Sequence, residues 1–230
     1  MNALAIDCAV SKIAIAAKKD TSLEKLVLDV GIKQSEKLLP AIDYLFKELG
    51  LASKDLHYTT ATLGPGSFTG LRLGLSSLKA INLAHGTPIY GIPSLAAYAW
   101  PYRTAPSTVL SVIEAKENEY FSQFFSQGKQ LSDAEDKNTD EILARIDTSS
   151  ELLVCGPGAV NFCKGLAEIA PRYSAHCFSP EIDATETLFA MAEGLIDSNV
   201  SPLQDYDAPL YVRKSEAEIV HEQKQKGLLP

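Results

Sequence analysis

Two acidic residues of this chain have a type and a position that could serve catalysis or metal binding. Asp7 ends the apolar segment ALAID, and Glu114 holds the same place in the later segment STVLSVIEAK. Two carboxylates that face each other across a cleft could hold Mg²⁺ and a phosphate group, as a phosphotransferase requires. Each acid could instead be exposed or cap the end of a strand.

A glycine-rich turn, LGPGSFTGLRLG at residues 63–74, leads into a helical pattern. It lacks the Gly-Lys-Ser/Thr of a P-loop, and its third glycine comes one residue too late for a dinucleotide-binding fingerprint. Backbone N–H groups at the start of a helix can still bind an anion. The alternative is a plain strand-to-helix turn with a serine N-cap. The candidate anion or nucleotide site comprises Asp7, Gly64, Gly66 and Ser67.

The helix predicted after this turn, at 67–85, has an unusually wide apolar or small-residue surface. At about 100° per residue this surface covers roughly 220°, more than a helix needs to pack on one core. We therefore consider a second contact with a partner subunit, beside the alternative of a helix buried inside one domain. Gly70 and Gly74 would let another backbone approach closely, and the pattern does not say which face meets the partner. The candidate interface residues are Phe68, Gly70, Leu71, Leu73, Gly74, Leu75, Ser77 and Leu78.

The elements that position these residues follow the order βββαβαβ. Periodicity and turn residues predict strands at 3–7, 11–19, 24–32, 56–63 and 87–93, and helices at 35–50 and 67–85. This order resembles the ribonuclease-H-like unit of the actin, Hsp70 and sugar-kinase (ASKHA) group. In such α/β folds, ligand groups collect at strand ends and in the turns after them.

The same pattern recurs in the second half of the chain. A strand, an acid and a returning strand occupy 107–126, and Gly-Pro-Gly again separates a strand from a helix at 152–166. Two features that recur in one order indicate duplication. The sequence therefore predicts an α/β fold of two ribonuclease-H-like lobes, at 1–100 and 101–230, with the tail segment 209–218 packed back on the body.

Composition excludes several classes of protein. The chain has 230 residues, and 46% of them are hydrophobic, which is enough to form a core. Its formal net charge is −8, so the chain alone is a poor candidate for binding the negatively charged backbone of a nucleic acid. No apolar run is long enough to span a membrane, and the N-terminus lacks the basic segment of a secretory signal. Its four cysteines have neither zinc-site nor disulfide-framework spacing. We expect a cytoplasmic protein.

The segments LAID (4–7), GPGSFTGLRLG (64–74), GIPSLAAYA (91–99) and PLYVRK (209–214) together closely resemble the bacterial TsaB (YeaZ) family. That family is the dimerisation subunit for synthesis of tRNA threonylcarbamoyladenosine (t6A). The resemblance spans the chain and is strongest over residues 1–100. It implies an actin-like fold and a cytoplasmic complex that adds threonylcarbamoyl to N6 of the tRNA adenosine beside the anticodon.

The resemblance also implies the partners. They are a catalytic paralogue of the same fold, TsaD, and a small ATPase, TsaE. A homodimer in the absence of TsaD is left open, and tRNA would be contacted only through the complex. The alternative from the residues themselves is a small actin-like ATPase or phosphotransferase that uses Asp7 and Glu114.

Several positions depart from the family pattern. Asp-Thr-Ser is common after the first strand, where this chain reads Asp7-Cys8-Ala9, and a common histidine is here Gln34. The paralogue's paired metal-binding histidines correspond to Ser94 and Tyr98, which are not such ligands. We therefore expect no catalytic residue, no metal and no required cofactor, and leave weak nucleotide binding open. The segment HEQKQ (221–225) lacks the second histidine of a metalloprotease helix.

Overall fold

The computed structural model of the chain describes residues 1–173, 175–178 and 183–213. In these ranges the chain forms two β-sheets with helices packed on them. No helix in the described ranges is both long and apolar enough to cross a membrane.

The first sheet has the strand order β3-β2-β1-β4-β5. Its strands are β1 (Ala3–Asp7), β2 (Ile13–Lys19), β3 (Ser22–Leu28), β4 (Tyr58–Gly64) and β5 (Ile89–Pro93). β1 pairs antiparallel with β2 and parallel with β4. The helices α1 (Gln34–Leu49) and α2 (Phe68–His85) connect β3 to β4 and β4 to β5.

The second sheet repeats this arrangement with the order β11-β10-β6-β7-β8, and β9 also pairs with β7. Its strands are β6 (Thr108–Lys116), β7 (Glu119–Ser126), β8 (Lys129–Gln130), β9 (Glu135–Asn138), β10 (Leu152–Cys155) and β11 (His176–Phe178). β6 pairs antiparallel with β7 and parallel with β10, as β1 does with β2 and β4. The helices here are α4 (Thr139–Leu143) and α5 (Ala159–Ile169). This repetition confirms the predicted duplicated ribonuclease-H-like fold.

Two further helices cross between the sheets. α3 (Ser94–Ala99) follows the first sheet in sequence but packs on β6 and β7, and α6 (Thr185–Asp197) follows the second sheet but packs on β1, β4 and β5. Both helices contribute to one central hydrophobic cluster that includes residues of both sheets. Separate clusters lie under α1 with α2 and under α5. The lobe boundaries at 1–100 and 101–230 stay a prediction.

Local sequence explains where α2 begins and ends. The Ser67 side chain accepts a hydrogen bond from the Gly70 N–H at 3.2 Å, as expected of an N-cap. At the other end, Gly86 adopts a left-handed conformation, φ 72°, that glycine adopts without steric cost. α2 is thereby fixed directly after the glycine-rich turn, with its first turn beside the end of β1.

Candidate functional site

Asp7 lies at the end of β1 and is only 3% exposed. Its Oδ1 accepts hydrogen bonds from the Ala9 N–H and the Thr62 hydroxyl, both at 3.1 Å. Its Oδ2 accepts from the Tyr98 phenol at 2.7 Å and from the Ala184 N–H at 3.1 Å. The carboxylate therefore binds four donors from β4, α3, its own turn and the start of α6.

The carboxylate also lies at the N-terminus of α6, because Ala184 is the N-cap residue of that helix. A negative charge is favourable there. Burial nevertheless raises the pKa of Asp7, while its four hydrogen bonds oppose that rise. Burial and the neighbouring carboxylate also raise the pKa of Tyr98 well above its ordinary value, so the phenol keeps the proton that it donates to Asp7.

Several N–H groups of the glycine-rich turn have partners inside the chain. The Gly64 N–H donates to the Ser94 hydroxyl at 3.0 Å, and the Ser67 N–H donates to the Ala9 carbonyl at 2.7 Å. The Gly70 N–H donates to the Ser67 side chain. These bonds compete with any anion, because each N–H can donate strongly to one acceptor. Anion or nucleotide binding at Asp7, Gly64, Gly66 and Ser67 stays a prediction.

The small residues of the turn admit the chain's own backbone. A Cβ built at Gly66 would lie 2.3 Å from the Ala9 carbonyl oxygen, and one at Gly70 would lie 2.3 Å from that of Cys8. A Cβ built at Gly74 would meet Ile6 at 3.4 Å and Cys8 at 3.5 Å. The close approach predicted for a partner subunit is therefore made by the end of β1 and the turn after it.

The structure corrects the candidate interface at five of its eight positions. Gly70, Leu71, Gly74, Leu75 and Leu78 are buried inside the chain, so a partner cannot contact them. The cause is that α2 covers β1 and β4 with this face, and packs its side chains into the chain's own clusters. The other three positions are accessible, with Phe68 exposed and Leu73 and Ser77 half-buried.

The opposite face of α2 is exposed, and we call it the α2 outer face. At 100° per residue it spans a continuous sector of the helix. Its most prominent member is Leu83, a large apolar side chain that is 90% exposed. The other members are small, polar or half-buried. The α2 outer face comprises Thr69, Leu73, Ser76, Ala80, Leu83 and Ala84.

A small cavity lies between the lobes, among residues that the structure describes. The cavity lined by Tyr98, Tyr102, Gly156 and the start of α6 has a volume of about 20 Å³, which is space for roughly one water molecule. A small-molecule site typically has about 300 Å³ or more. Glu114 is exposed and accepts a hydrogen bond from the Asn161 side chain at 2.6 Å, and it is not among the groups that contact Asp7.

Comparison with known proteins places this geometry in a family. A family model described as TsaD, tRNA N6-adenosine threonylcarbamoyltransferase, matches residues 30–161, more than half of the chain. The tRNA threonylcarbamoyladenosine biosynthesis protein TsaB of Buchnera aphidicola is 30% identical over 42% of this chain and 46% of its own length. TsaB of Bacillus subtilis is 25% identical over 54% and 55%. The chain belongs to the TsaB (YeaZ) family. It spans about half of the length of these two curated relatives.

Solved structures of YeaZ share the fold. YeaZ from Pseudomonas aeruginosa superposes with a TM-score of 0.72 at 20% identity, covering 91% of this chain and 99% of the other. An uncharacterised protein with similarity to peptidase YeaZ from Pseudomonas aeruginosa gives a TM-score of 0.74 at 21% identity, with 92% and 99% covered. At these identities the likeness shows the fold alone.

Within this TsaB-family chain, Ser94 and Tyr98, the positions where the resemblance implied the loss of a metal-binding pair, make structural hydrogen bonds. The Ser94 hydroxyl accepts a hydrogen bond from the Gly64 N–H, and the Tyr98 phenol donates one to the Asp7 carboxylate. The described residues contain no group of three or more His, Cys, Asp or Glu side chains that could hold a metal ion. The sequence identified Ser94 and Tyr98 as departures from a ligand pair. It gave no signal that their hydroxyls form hydrogen bonds with the glycine-rich turn and with Asp7.

The tail residues 209–213 lie across both lobes. The Leu210 N–H donates to the Leu63 carbonyl at 2.7 Å, and Arg72 Nε donates to the Tyr211 hydroxyl at 2.8 Å. Arg213 forms ion pairs with acids on β7 and β9. The rest of the predicted tail contact, 214–218, and the HEQKQ segment at 221–225 lie outside the described residues.

Proposed function

We propose that this chain is a partner subunit, without catalytic residues of its own, in the cytoplasmic synthesis of t6A in tRNA. Its relatives named TsaB are biosynthesis proteins for that nucleoside, and the family model that matches it is named for the threonylcarbamoyltransferase TsaD. In this proposal the chain binds a TsaD-type catalytic paralogue, and a TsaE-type ATPase joins the complex.

The proposal that the chain has no catalytic residues rests on one observation, which is that both oxygens of the Asp7 carboxylate already accept hydrogen bonds from the chain itself. A carboxylate that holds a metal ion or activates a nucleophile needs a free lone pair that faces the substrate. The two oxygens of Asp7 accept four protein hydrogen bonds, and the side chain is buried. To reach a substrate, it would have to lose the bonds that hold the start of α6 and Tyr98.

The α2 outer face supports the partner part of the proposal. Leu83 projects almost fully into water, and the small side chains of Ser76, Ala80 and Ala84 leave room for a helix of another subunit. Burying a leucine side chain contributes about 1.5–3 kcal/mol. We propose that the partner bound at this face is a paralogue that has the same fold as this chain. A homodimer through this face is the outcome expected when the paralogue is absent.

The test is association of the purified chain with the TsaD-type paralogue from the same organism, measured by size-exclusion chromatography with light scattering and by titration calorimetry. Leu83→Glu should weaken binding by at least tenfold, since loss of about 1.4 kcal/mol corresponds to that factor. Leu131→Glu is the matched control, because Leu131 is also exposed, at 59%, but lies beside β8, in the other lobe. That control should bind as wild type does.

Both variants should fold, because the replaced side chains are exposed, and circular dichroism would check this. If the wild-type chain does not bind the paralogue, the proposal fails. If Leu83→Glu and Leu131→Glu bind equally well, the chain binds through another surface and the assignment of the α2 outer face is wrong. ATP hydrolysis by the chain alone should stay at background, and an activity abolished by Asp7→Ala in a folded chain would favour the phosphotransferase alternative.

A further inference from the structure

Cys177 lies on the face of the second sheet that α5 covers. In the parallel pairing of β10 with β11, Cys177 is the partner of Val154, and paired residues on neighbouring strands point to the same side of a sheet. Val154 belongs to the hydrophobic cluster formed with the α5 residues Phe162 and Leu166. The next residue, Phe178, points to the other side and contacts the Tyr102 ring, with centroids 5.6 Å apart.

Cys163 meets Cys177 from the helix side. It lies on α5, packs against the same hydrophobic cluster as Val154, and is half-buried, and α5 packs on β11. The strand that carries Cys177 and the helix that carries Cys163 are therefore packed against each other. Burial, with a hydrogen bond and charge repulsion from Cys177, raises the pKa of Cys163. Cys177 is the exposed member of the pair, so a dissolved oxidant reaches it more easily than it reaches the half-buried Cys163.

The other two cysteines are in different environments. Cys8 and Cys155 are each about 1% exposed or less and lie in other clusters. Burial raises the pKa of Cys155 to about 12 and raises that of Cys8 further. Because the thiolate is the reactive form, these two should stay inert. Only one pair combines an accessible thiol with a second thiol in contact.

We propose that Cys163 and Cys177 are a modification site that closes to an intramolecular disulfide when a disulfide oxidant, such as oxidised glutathione, is present. The Cys177 thiolate attacks the oxidant, forms a mixed disulfide and releases one glutathione thiolate. With the charge at Cys177 removed, Cys163 loses its proton more readily. Its sulfur then attacks the Cys177 sulfur and releases the second glutathione. Two protein thiols are oxidised, and one glutathione disulfide is reduced to two thiols.

The experiment exposes the reduced full-length chain to graded ratios of oxidised to reduced glutathione, with acid quenching. Intact mass, peptide mapping and non-reducing electrophoresis then identify the products. The wild-type chain should lose two hydrogens, carry no glutathione and run as a single chain in non-reducing denaturing electrophoresis, with the new bond mapped to Cys163 and Cys177. Cys163→Ser should stop with one glutathione on Cys177, because the resolving thiol is missing. Cys177→Ser should not react under the same conditions.

Closure should also raise the melting temperature of the oxidised chain above that of the reduced chain. The bond would close a loop of about 15 residues, for which a rise of about 6–12 °C is expected. Three results would overturn the proposal. These are stable glutathionylation of the wild type without closure, disulfide-linked dimers as the main product, or unchanged or lower melting temperature after closure, which would mean that the bond strains the native contact.

Discussion

Asp7→Asn is the substitution that most sharply separates a structural carboxylate from a catalytic one. Each oxygen of Asp7 accepts one backbone N–H, from Ala9 on one side and from Ala184 on the other. An asparagine amide must place its NH₂ group beside one of these two donors, whichever way it is oriented. A protonated aspartic acid avoids this clash, because its hydroxyl oxygen keeps a lone pair for the backbone N–H. The argument therefore holds for either protonation state of Asp7.

The expected loss follows from one buried backbone donor left without an acceptor. Such a donor costs about 1–3 kcal/mol, and Ala9 and Ala184 offer their N–H groups to a side chain that is only 3% exposed. For a chain of this size, 2 kcal/mol corresponds to a fall in melting temperature of roughly 4–8 °C. A purely catalytic carboxylate would give a much smaller change.

The assay is thermal and urea unfolding of Asp7→Asn followed by circular dichroism, with Glu114→Gln as the matched control. Glu114 holds the equivalent strand end in the second sheet, but it is exposed and bonded only by the Asn161 side chain among the described contacts. Its substitution should change the free energy of unfolding by less than about 0.5 kcal/mol. If both variants unfold like wild type, Asp7 is not a structural junction and its carboxylate is free for chemistry.

Substitutions at two further positions, Gly74 and Glu193, test the contacts around this site. Gly74→Leu should lower the melting temperature, because the added side chain overpacks the space beside Ile6 and reduces the free energy of unfolding by about 1–3 kcal/mol. Gly74→Ala should have the melting temperature of wild type or a higher one. Glu193→Gln should destabilise the chain at neutral pH. Burial raises the pKa of Glu193, but the hydrogen bonds from Lys18 and Tyr58 and the charge of Lys18 outweigh burial and hold that pKa below its ordinary value. The difference from wild type should therefore vanish as pH falls through the lowered pKa, and a constant difference would contradict this.

Much of the fold could be predicted because it depends on local sequence. Short apolar segments, each followed by an acid and a turn, predicted the antiparallel strand pair in each sheet. The two Gly-Pro-Gly segments predicted the two turns that lead from a strand into a helix. β3 ends at Leu28 rather than 32, because a short 3₁₀ turn at Gly31–Lys33 leads into α1. The crossing of α3 and α6 to the opposite sheets could not be predicted, since it depends on contacts distant in sequence.

The candidate site shows the same division between local and distant information. Ser67 as N-cap could be predicted from its place before a helical pattern. The small residues Gly70 and Gly74 correctly indicated a close approach, but a sequence pattern does not identify the approaching group. That group is the end of β1 and the turn after it, in the same chain. The partners of Asp7 were equally hidden, because one of them is the backbone N–H of Ala184, 177 residues away.

The duplication places an acid at the end of β1 and another at the end of β6, but only the first is enclosed by the opposite lobe. Asp7 caps α6, whose residues pack on the first sheet, whereas Glu114 stays exposed. A nucleotide at Asp7 would have to displace the Ala184 N–H and the Tyr98 phenol from the carboxylate, and parting the two sheets would uncover the shared hydrophobic cluster. That exposure opposes opening, because burial of the cluster stabilises the closed form. A ligand would have to supply more free energy than the junction does. An accessible helix face, by contrast, can bind a partner with the lobes closed, and this asymmetry is why we assign recognition to the α2 outer face rather than to the cleft.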